Sequence, residues 1–188
     1  MKSASRPGPK RACLLIPALL LWTACSGADT DATADTADMP EEHSSPHAPT
    51  AAEQAEILGV LQAVFDGLAG DTELLAHNMD ADIVMHSTDL RSGTAVFGSS
   101  TLPGLIQRVE TGDETMTERM WAPEVHVSGG IATVWTPYDF YIGSEFSHCG
   151  VDVATLMPRD GRWKVITLDW TRDAPPNCAL HPDGPPSN

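Results

Sequence analysis

The chain has 188 residues, 41% of them apolar, which is enough for one globular domain with attached segments. It carries 26 acidic and 11 basic residues, a formal net charge of −15 at pH 7. Nucleic-acid affinity comes largely from Lys and Arg that neutralise phosphates, so this charge argues against a nucleic-acid partner.

Residues 1–24 have the pattern of a signal peptide. The basic start MKSASRPGPKR precedes the apolar run ACLLIPALLLW, which is shorter than the roughly 20 residues of a membrane-spanning helix. The next residues, WTACS, resemble the lipobox of bacterial lipoproteins, although Trp22 stands where that pattern prefers Leu. The resemblance implies that Cys25 is acylated and that the protein is anchored in the cell envelope. Ser26 after the cysteine favours the outer membrane. Ordinary cleavage after Ala28 is the alternative, and it would leave a periplasmic or secreted soluble protein.

Residues 25–50 contain almost no large apolar side chain and are rich in Ala, Asp, Thr, Ser and Pro. Such a composition cannot bury enough surface to offset the entropy of ordering the chain. We predict a disordered acidic tether between the anchor and the domain.

The domain is predicted to begin with helices. Thr50 and Glu53 have the spacing of a capping box, after which apolar residues recur at helical intervals. We expect this helix to end at Gly70 and a short second one to begin at Asp71. A strand is expected from Ile83. Ser100 is the expected cap of a third helix. The apolar positions of the first helix are Ile57, Val60, Leu61, Val64, Phe65 and Leu68.

From Thr115 onward the apolar pattern has a period of two, which is typical of strands. Turn signals at Gly129-Gly130, at Gly143-Ser144 and at Pro158 to Gly161 divide it into four strand-like runs. Helices followed by an antiparallel meander predict an α+β domain.

Three stretches, WTPYDFY, FSHCGVD and GRWKV, together with this order of elements, resemble the nuclear transport factor 2 superfamily, which includes SnoaL-like cyclases and ketosteroid isomerase. The resemblance covers residues 51–172. It implies a cone-shaped fold in which three N-terminal helices pack on a curved antiparallel sheet. We predict that the domain extends over residues 51–180 and that residues 181–188 form a flexible Pro-rich tail. This fold supports isomerases, dehydratases, cyclases and binding modules, so the resemblance does not decide the activity.

The Gly143-Ser144 turn predicts which way the side chains of the two longest strands point. A two-residue loop there pairs Asp139 with His148 and Trp135 with Asp152, and successive side chains alternate between the faces of a sheet. Pairing across the next turn adds Trp163 to the same face. A bulge of one residue would exchange the faces.

The cysteines predict a structural disulfide. Cys13 leaves with the signal peptide and Cys25 would carry the lipid, which leaves Cys149 and Cys178 in an oxidising compartment. Cys149 is expected opposite Trp170, within reach of the C-terminal segment. Two unpaired buried thiols are the alternative.

The face that carries His148 is apolar toward one end and polar toward the other, as small-molecule pockets are. We predict a pocket lined by Trp135, Asp139, His148, Asp152 and Trp163. In ketosteroid isomerase a pocket acid lies on the penultimate strand, a few residues before the last hairpin turn, and Asp152 holds a similar place. The resemblance therefore implies that this face is the concave one, under the helices. We predict no metal site and no cofactor, because the histidines and acids lack a compact ligand spacing.

Three functions compete for this pocket. The favoured one is a membrane-tethered module that binds a small, largely apolar ligand. The second is a proton-transfer enzyme with Asp152 as acid or base and His148 as a second candidate catalytic residue, although no further polar group is evident beyond His86 and Tyr138. In the third, Asp139 and His148 form only a cross-strand ion pair and the domain serves a protein partner. The apolar opposite face would be covered by the tail or by a second copy of the chain.

Overall fold

A computed structural model describes residues 48–187. The predicted signal peptide, Cys25 and the tether up to residue 47 lie outside the described residues. Within the described range, no helix is both long enough and apolar enough to cross a bilayer.

The described chain folds into three helices and a seven-stranded sheet, which confirms the predicted α+β class. The elements are α1 (Ala51–Gly67), α2 (Thr72–Asn78), β1 (Val84–Asp89), β2 (Val96–Thr101), α3 (Leu102–Thr111), β3 (Met116–Met120), β4 (Glu124–Ser128), β5 (Ile131–Ile142), β6 (Glu145–Arg159) and β7 (Arg162–Arg172).

The strands follow the order β2-β1-β7-β6-β5-β3, and β4 also pairs with β5. All neighbours are antiparallel except β1 and β7, which run parallel, so the sheet is mixed rather than purely antiparallel. β4 pairs with the first half of β5 and β3 with the second half. The run that the sequence pattern treats as one strand is therefore two, and the chain turns between them at Ala122, whose φ is 45°.

The helices begin largely where the sequence predicts. The Thr50 hydroxyl accepts a hydrogen bond from the Glu53 backbone N–H, and the Glu53 carboxylate accepts one from the Thr50 N–H. The Asp71 side chain caps α2 in the same way. The third helix starts one residue later than expected, with Thr101 rather than Ser100 at its N-cap.

The helices pack on one face of the sheet, here called the inner face. α1 contacts β3 and β7, α2 contacts β7, and α3 contacts β2. The apolar stripe of α1 supplies much of the core, which continues onto the inner face of the long strands. Its fully buried members include Ile57, Leu61, Val64, Leu75, Met79, Val134, Leu156 and Val165.

A bulge in β6 corrects the predicted register. Close to the turn the prediction holds, since Tyr141 pairs with Phe146. Phe140 then pairs with His148, so Ser147 is an extra residue on β6. Beyond it Asp139 pairs with Cys149 and Trp135 with Val153, and the predicted pairs Asp139–His148 and Trp135–Asp152 are wrong. One extra residue turns every later side chain of one strand to the opposite side relative to its partner.

A second irregularity lies between β6 and β7. Thr155 pairs with Thr167 and Leu156 with Val165, which makes Ile166 an extra residue on β7. Leu168 and Trp170 therefore join Val165 on the inner face, where simple alternation would have placed Thr167 and Asp169.

The C-terminal segment is attached to the outer face of the sheet. Cys149 forms a disulfide with Cys178, and its backbone pairs with Asp173 rather than lying opposite Trp170. The His181 backbone N–H donates a hydrogen bond of 3.0 Å to Asp139 Oδ2. Residue 181, the first of the predicted tail, is thus in contact with the domain.

Candidate functional site

A cavity of about 60 Å³ lies between the inner face of the sheet and helices α1 and α3. Most of its wall is apolar and comes from both layers of the fold. The principal apolar residues are Val64, Phe65, Leu68, Leu105, Leu168 and Trp170.

Most polar groups of the cavity come from four strands that are neighbours in the sheet, and Ser100 on β2 and Arg108 on α3 add two more. Glu118 lies on β3, Tyr138 on β5, His148 and Asp152 on β6, and Arg172 on β7. The strand order β7-β6-β5-β3 places these groups side by side. One region of the cavity is therefore polar.

Glu118 and Asp152 form a hydrogen-bonded pair of carboxyl groups. Two carboxyl groups can make such a bond only if they share a proton. Burial raises the pKa of Glu118 to about 7, although the Asp152 hydrogen bond and Arg172 oppose the rise. Burial also raises the pKa of Asp152, and the neighbouring Glu118 raises it further. Apart from this carboxyl contact, Asp152 Oδ2 is buried and has no hydrogen-bond partner within residues 48–187.

His148 is a neutral, enclosed ring. It is 3% exposed, stacks on Phe140 with 4.8 Å between ring centroids, and meets Tyr138 edge-on. Its Nδ1 lies 2.9 Å from the Ser147 hydroxyl oxygen. Burial lowers the pKa of His148 to about 3, and the positive charges of Arg172 and Arg91 contribute to the shift. Near neutral pH the imidazole can take part in hydrogen bonds but carries no charge.

The second polar group that the sequence left unidentified is Glu118. Tyr138 lines the cavity, but its hydroxyl already donates a 2.7 Å hydrogen bond to the Thr171 carbonyl oxygen. His86 lies outside the cavity and forms a 2.9 Å contact with Asp169. Glu118 was missed because its strand, MTERM, has no strong apolar alternation. Glu118 pairs with Phe140 and shares its inward direction. The sequence alone did not reveal this, because the inward direction of Phe140 is known only from the structure.

Of the five predicted pocket residues, Asp152 and His148 line the cavity and three others do not. Trp135 is 52% exposed and lines a groove of about 260 Å³ on the outer face together with Phe97. Trp163 packs against the core away from the cavity. The Ser147 bulge accounts for Trp135 and for Asp139, because the prediction paired their strand one residue out of register.

Asp139 has a structural position instead. It is fully buried and accepts two hydrogen bonds from Arg119, at 2.9 and 2.6 Å, besides the one from His181. The predicted ion pair between Asp139 and His148 is therefore wrong. Asp139 connects β3, β5 and the C-terminal segment.

Among residues 48–187, no cluster of His, Cys, Asp and Glu has the arrangement of a metal site. The geometry defines a small α+β domain in which helices cover a mixed sheet and enclose a cavity with a carboxyl pair at its polar region.

No protein-family model matches the sequence, and no curated protein matches it. Solved structures do. A nuclear transport factor 2-like protein from Cytophaga hutchinsonii is similar with a TM-score of 0.54 and 15% identity, over 64% of this chain and 98% of that one. A nuclear transport factor 2-like superfamily protein from Salmonella enterica has a TM-score of 0.53 and 14% identity, over 68% and 96%.

A third similar structure, a protein of unknown function with a cystatin-like fold from Nostoc punctiforme, has a TM-score of 0.54 and 13% identity, over 69% of this chain and 98% of that one. At these identities the likeness concerns the fold. The chain has the nuclear transport factor 2-like fold, as the sequence motifs indicated.

Proposed function

We propose that the domain binds a small, largely apolar ligand in the cavity between α1, α3 and the sheet. The observation that carries this proposal is an apolar cavity lined at its polar region by Asp152, a buried carboxyl group with no hydrogen-bond partner besides Glu118 in residues 48–187. A buried polar atom without a partner costs about 1–3 kcal/mol. A ligand that hydrogen bonds to it recovers that free energy, while its apolar part is removed from water.

Native mass spectrometry tests the proposal on protein purified from its own envelope. We expect a retained small molecule in the wild type and in Ile106→Trp, and none in Leu105→Trp. Both positions lie on α3 and pack on the core, but only Leu105 lines the cavity, so the larger ring fills it. Repeated spectra of empty wild-type protein, or equal occupancy in both variants, would contradict the proposal.

We further propose that the domain is held in the cell envelope by a lipid on Cys25. The support is the sequence pattern of residues 1–26. Metabolic labelling with an alkyne fatty acid should mark the wild type and not Cys25→Ser, which should move to the soluble fraction. A Cys13→Ser variant is the matched control and should stay labelled and membrane-bound. An unlabelled wild type would favour ordinary cleavage, and labelling that survives Cys25→Ser would place the lipid on another residue.

A second function, proton transfer, is favoured by the carboxyl pair itself. Two carboxyl groups whose pKa values are raised by burial can hold and release a proton near neutral pH. In this role Asp152 would exchange a proton with a carbon next to a carbonyl group, and Glu118 would share the proton.

Proton exchange can be measured without knowing the natural substrate. We expect the wild type to accelerate exchange of the α-hydrogens of butan-2-one with D₂O, followed by NMR, and Asp152→Asn to abolish the acceleration while the protein remains folded. An exposed acid, Glu110→Gln, serves as the control. Equal exchange with and without wild-type protein would rule out this second function for simple ketones.

A further inference from the structure

We propose that the ligand of this cavity is a small monocarboxylate, with its carboxylate on Arg172 and its hydrocarbon part among the apolar residues. The inference rests on the ligand-binding function proposed above and specifies the chemical class of that ligand.

The first observation is an arginine with an N–H group that has no hydrogen-bond partner. Arg172 lines the cavity, and its Nε is buried without a hydrogen-bond partner in the described part of the chain. The nearest carboxylate oxygen in an ion pair with it, Asp89 Oδ2, is 4.0 Å from Nη1. Asp89 is already engaged by Arg91, through bonds of 3.0 Å to Oδ1 and 2.5 Å to Oδ2. A planar guanidinium with an unpaired N–H fits a carboxylate, which it can bind through two oxygens.

The second observation is that Asp152, which has no partner besides Glu118, lies on the neighbouring strand. β6 and β7 are adjacent, and the backbone partner of Asp152 is Trp170, two residues before Arg172 on the same inner side. At pH 6, below the raised pKa values of both groups, each carboxyl group holds a proton, so Glu118 can donate to Asp152 while Asp152 donates its own proton to a ligand. A ligand carboxylate between Arg172 and Asp152 would accept a hydrogen bond from the guanidinium with one oxygen and from the Asp152 O–H with the other.

The third observation is the local charge. Four of the 11 basic residues precede residue 12, so seven remain for the domain, against an acidic background. Two of these seven, Arg108 and Arg172, line this one cavity. Arg108 is exposed and thus lies at the opening to solvent. While Glu118 and Asp152 hold their protons, the two guanidinium groups give the cavity a net positive charge, which attracts a small anion that the rest of the acidic surface repels.

The rest of the wall limits the ligand to one charged group. Apart from its polar region the cavity is lined by side chains such as Val64, Leu105 and Leu168, and burial of a second charge against them would be costly. A volume of about 60 Å³ favours a short hydrocarbon chain.

Isothermal titration calorimetry at pH 6 with hexanoate, hexan-1-ol and hexylamine tests the class of ligand. The three probes share a hydrocarbon chain and differ in the head group. We expect hexanoate to bind at least tenfold more tightly than hexan-1-ol, and hexylamine not to bind. In Arg172→Gln the advantage of hexanoate over hexan-1-ol should disappear. The matched control is Arg159→Gln, an arginine that pairs with Asp80 away from the cavity, and it should keep the advantage.

The outcomes separate this inference from the function it rests on. If hexanoate and hexan-1-ol bind equally and both lose binding in Leu105→Trp, the ligand is not specifically a carboxylate, but the cavity is still the ligand site. Binding of none of the probes to wild-type protein would overturn both. If Arg172→Gln does not fold, the comparison of the three probes on the wild type still tests whether a carboxylate is preferred. Arg172→Lys then supplies a variant that keeps the positive charge without the planar guanidinium.

The carboxyl pair adds a pH readout. Glu118, whose pKa is raised to about 7, loses its proton as the pH rises from 6 to 8, and the new negative charge opposes a bound carboxylate. Hexanoate binding should therefore weaken over this range, while hexan-1-ol binding should not. An unchanged ratio of the two affinities would contradict the placement of the carboxylate beside the pair. The charged and titratable groups that share the cavity with Glu118 are Tyr138 on β5, His148 and Asp152 on β6, Arg172 on β7 and Arg108 on α3.

Discussion

Two buried aspartates on neighbouring strands have opposite surroundings. Asp139 faces outward and meets the guanidinium of Arg119, whereas Asp152 faces inward and meets a second carboxyl group, that of Glu118. The first arrangement holds parts of the chain together. The second keeps a proton in a poorly solvated cavity and gives Asp152 no partner besides Glu118, which is the feature expected of a binding or reaction site.

Glu118→Gln should stabilise the protein in a pH-dependent manner. Between about pH 4.5 and 7 the folded protein keeps the Glu118 proton that the unfolded chain releases, so wild-type stability falls as the pH rises through this window. Glutamine does not titrate. The difference in free energy of unfolding should grow from near zero below this window to at most about 3 kcal/mol above it.

Urea unfolding at several pH values measures this difference. Glu110→Gln, an exposed substitution on α3, is the control and should change the free energy of unfolding by less than about 0.5 kcal/mol throughout. A Glu118→Gln variant that is equally destabilised at every pH would show that the carboxyl pair does not carry the raised pKa.

Asp139→Asn should destabilise the protein by about 3 kcal/mol, because it leaves the largely buried Arg119 without a counter-charge. The control is Asp80→Asn, whose partner Arg159 is exposed at the surface and whose loss should cost less than about 1 kcal/mol. Urea midpoints of the two variants give the comparison. Equal midpoints would mean that the Asp139 pair contributes no more than a surface pair.

At the level of elements, the features that depend on a local sequence pattern could be predicted from the sequence. The helix caps at Thr50 and Asp71, the apolar stripe of α1 and the Gly143-Ser144 turn all agree with the structure. The strand β2, with the sequence VFGSST, was missed because nearly all its side chains are exposed and no alternation marks it.

The direction of side chains along the long strands depends on single extra residues that leave no clear trace in the sequence. Ser147 and Ile166 are ordinary strand residues by composition, and each reverses the alternation after it. For this reason His148 and Asp152 were predicted correctly to share a face, since both follow Ser147 on one strand. Trp135 and Asp139, on the partner strand, were placed on the wrong side.

Gly150 allows β7 to approach β6 closely, and Gly150→Ala should disturb this contact. An added Cβ would lie 2.1 Å from the Thr171 carbonyl oxygen, the same oxygen that accepts the Tyr138 hydrogen bond. We expect a loss of about 1–3 kcal/mol of stability, measured by thermal unfolding.

The matched control for that change is Gly59→Ala. Gly59 lies in α1 with nothing near the position of a Cβ, so alanine should stabilise the helix by about 0.5–1 kcal/mol. If the two alanine variants behave alike, close packing at Gly150 is not required.

At the scale of the whole molecule, the disulfide connects the C-terminal segment to the sheet. Its partners are 29 residues apart in the sequence. On the chain-entropy model a loop of this length contributes about 3–4 kcal/mol. The Cys149→Ala and Cys178→Ala double variant should lose this amount in urea unfolding. Wild-type protein unfolded in dithiothreitol should match it, and a variant as stable as the oxidised wild type would show that the cross-link adds nothing.

The cross-link also has a practical consequence for assays. Cys149 adjoins His148 in the chain, so the bond on the outer surface restrains the strand position whose next side chain lines the cavity. Buffers that contain a thiol reductant would therefore sample a looser site than buffers without one. Screening for ligands should use protein with the disulfide intact. A change in ligand affinity on reduction would measure how much the attached C-terminal segment restrains the geometry of the cavity.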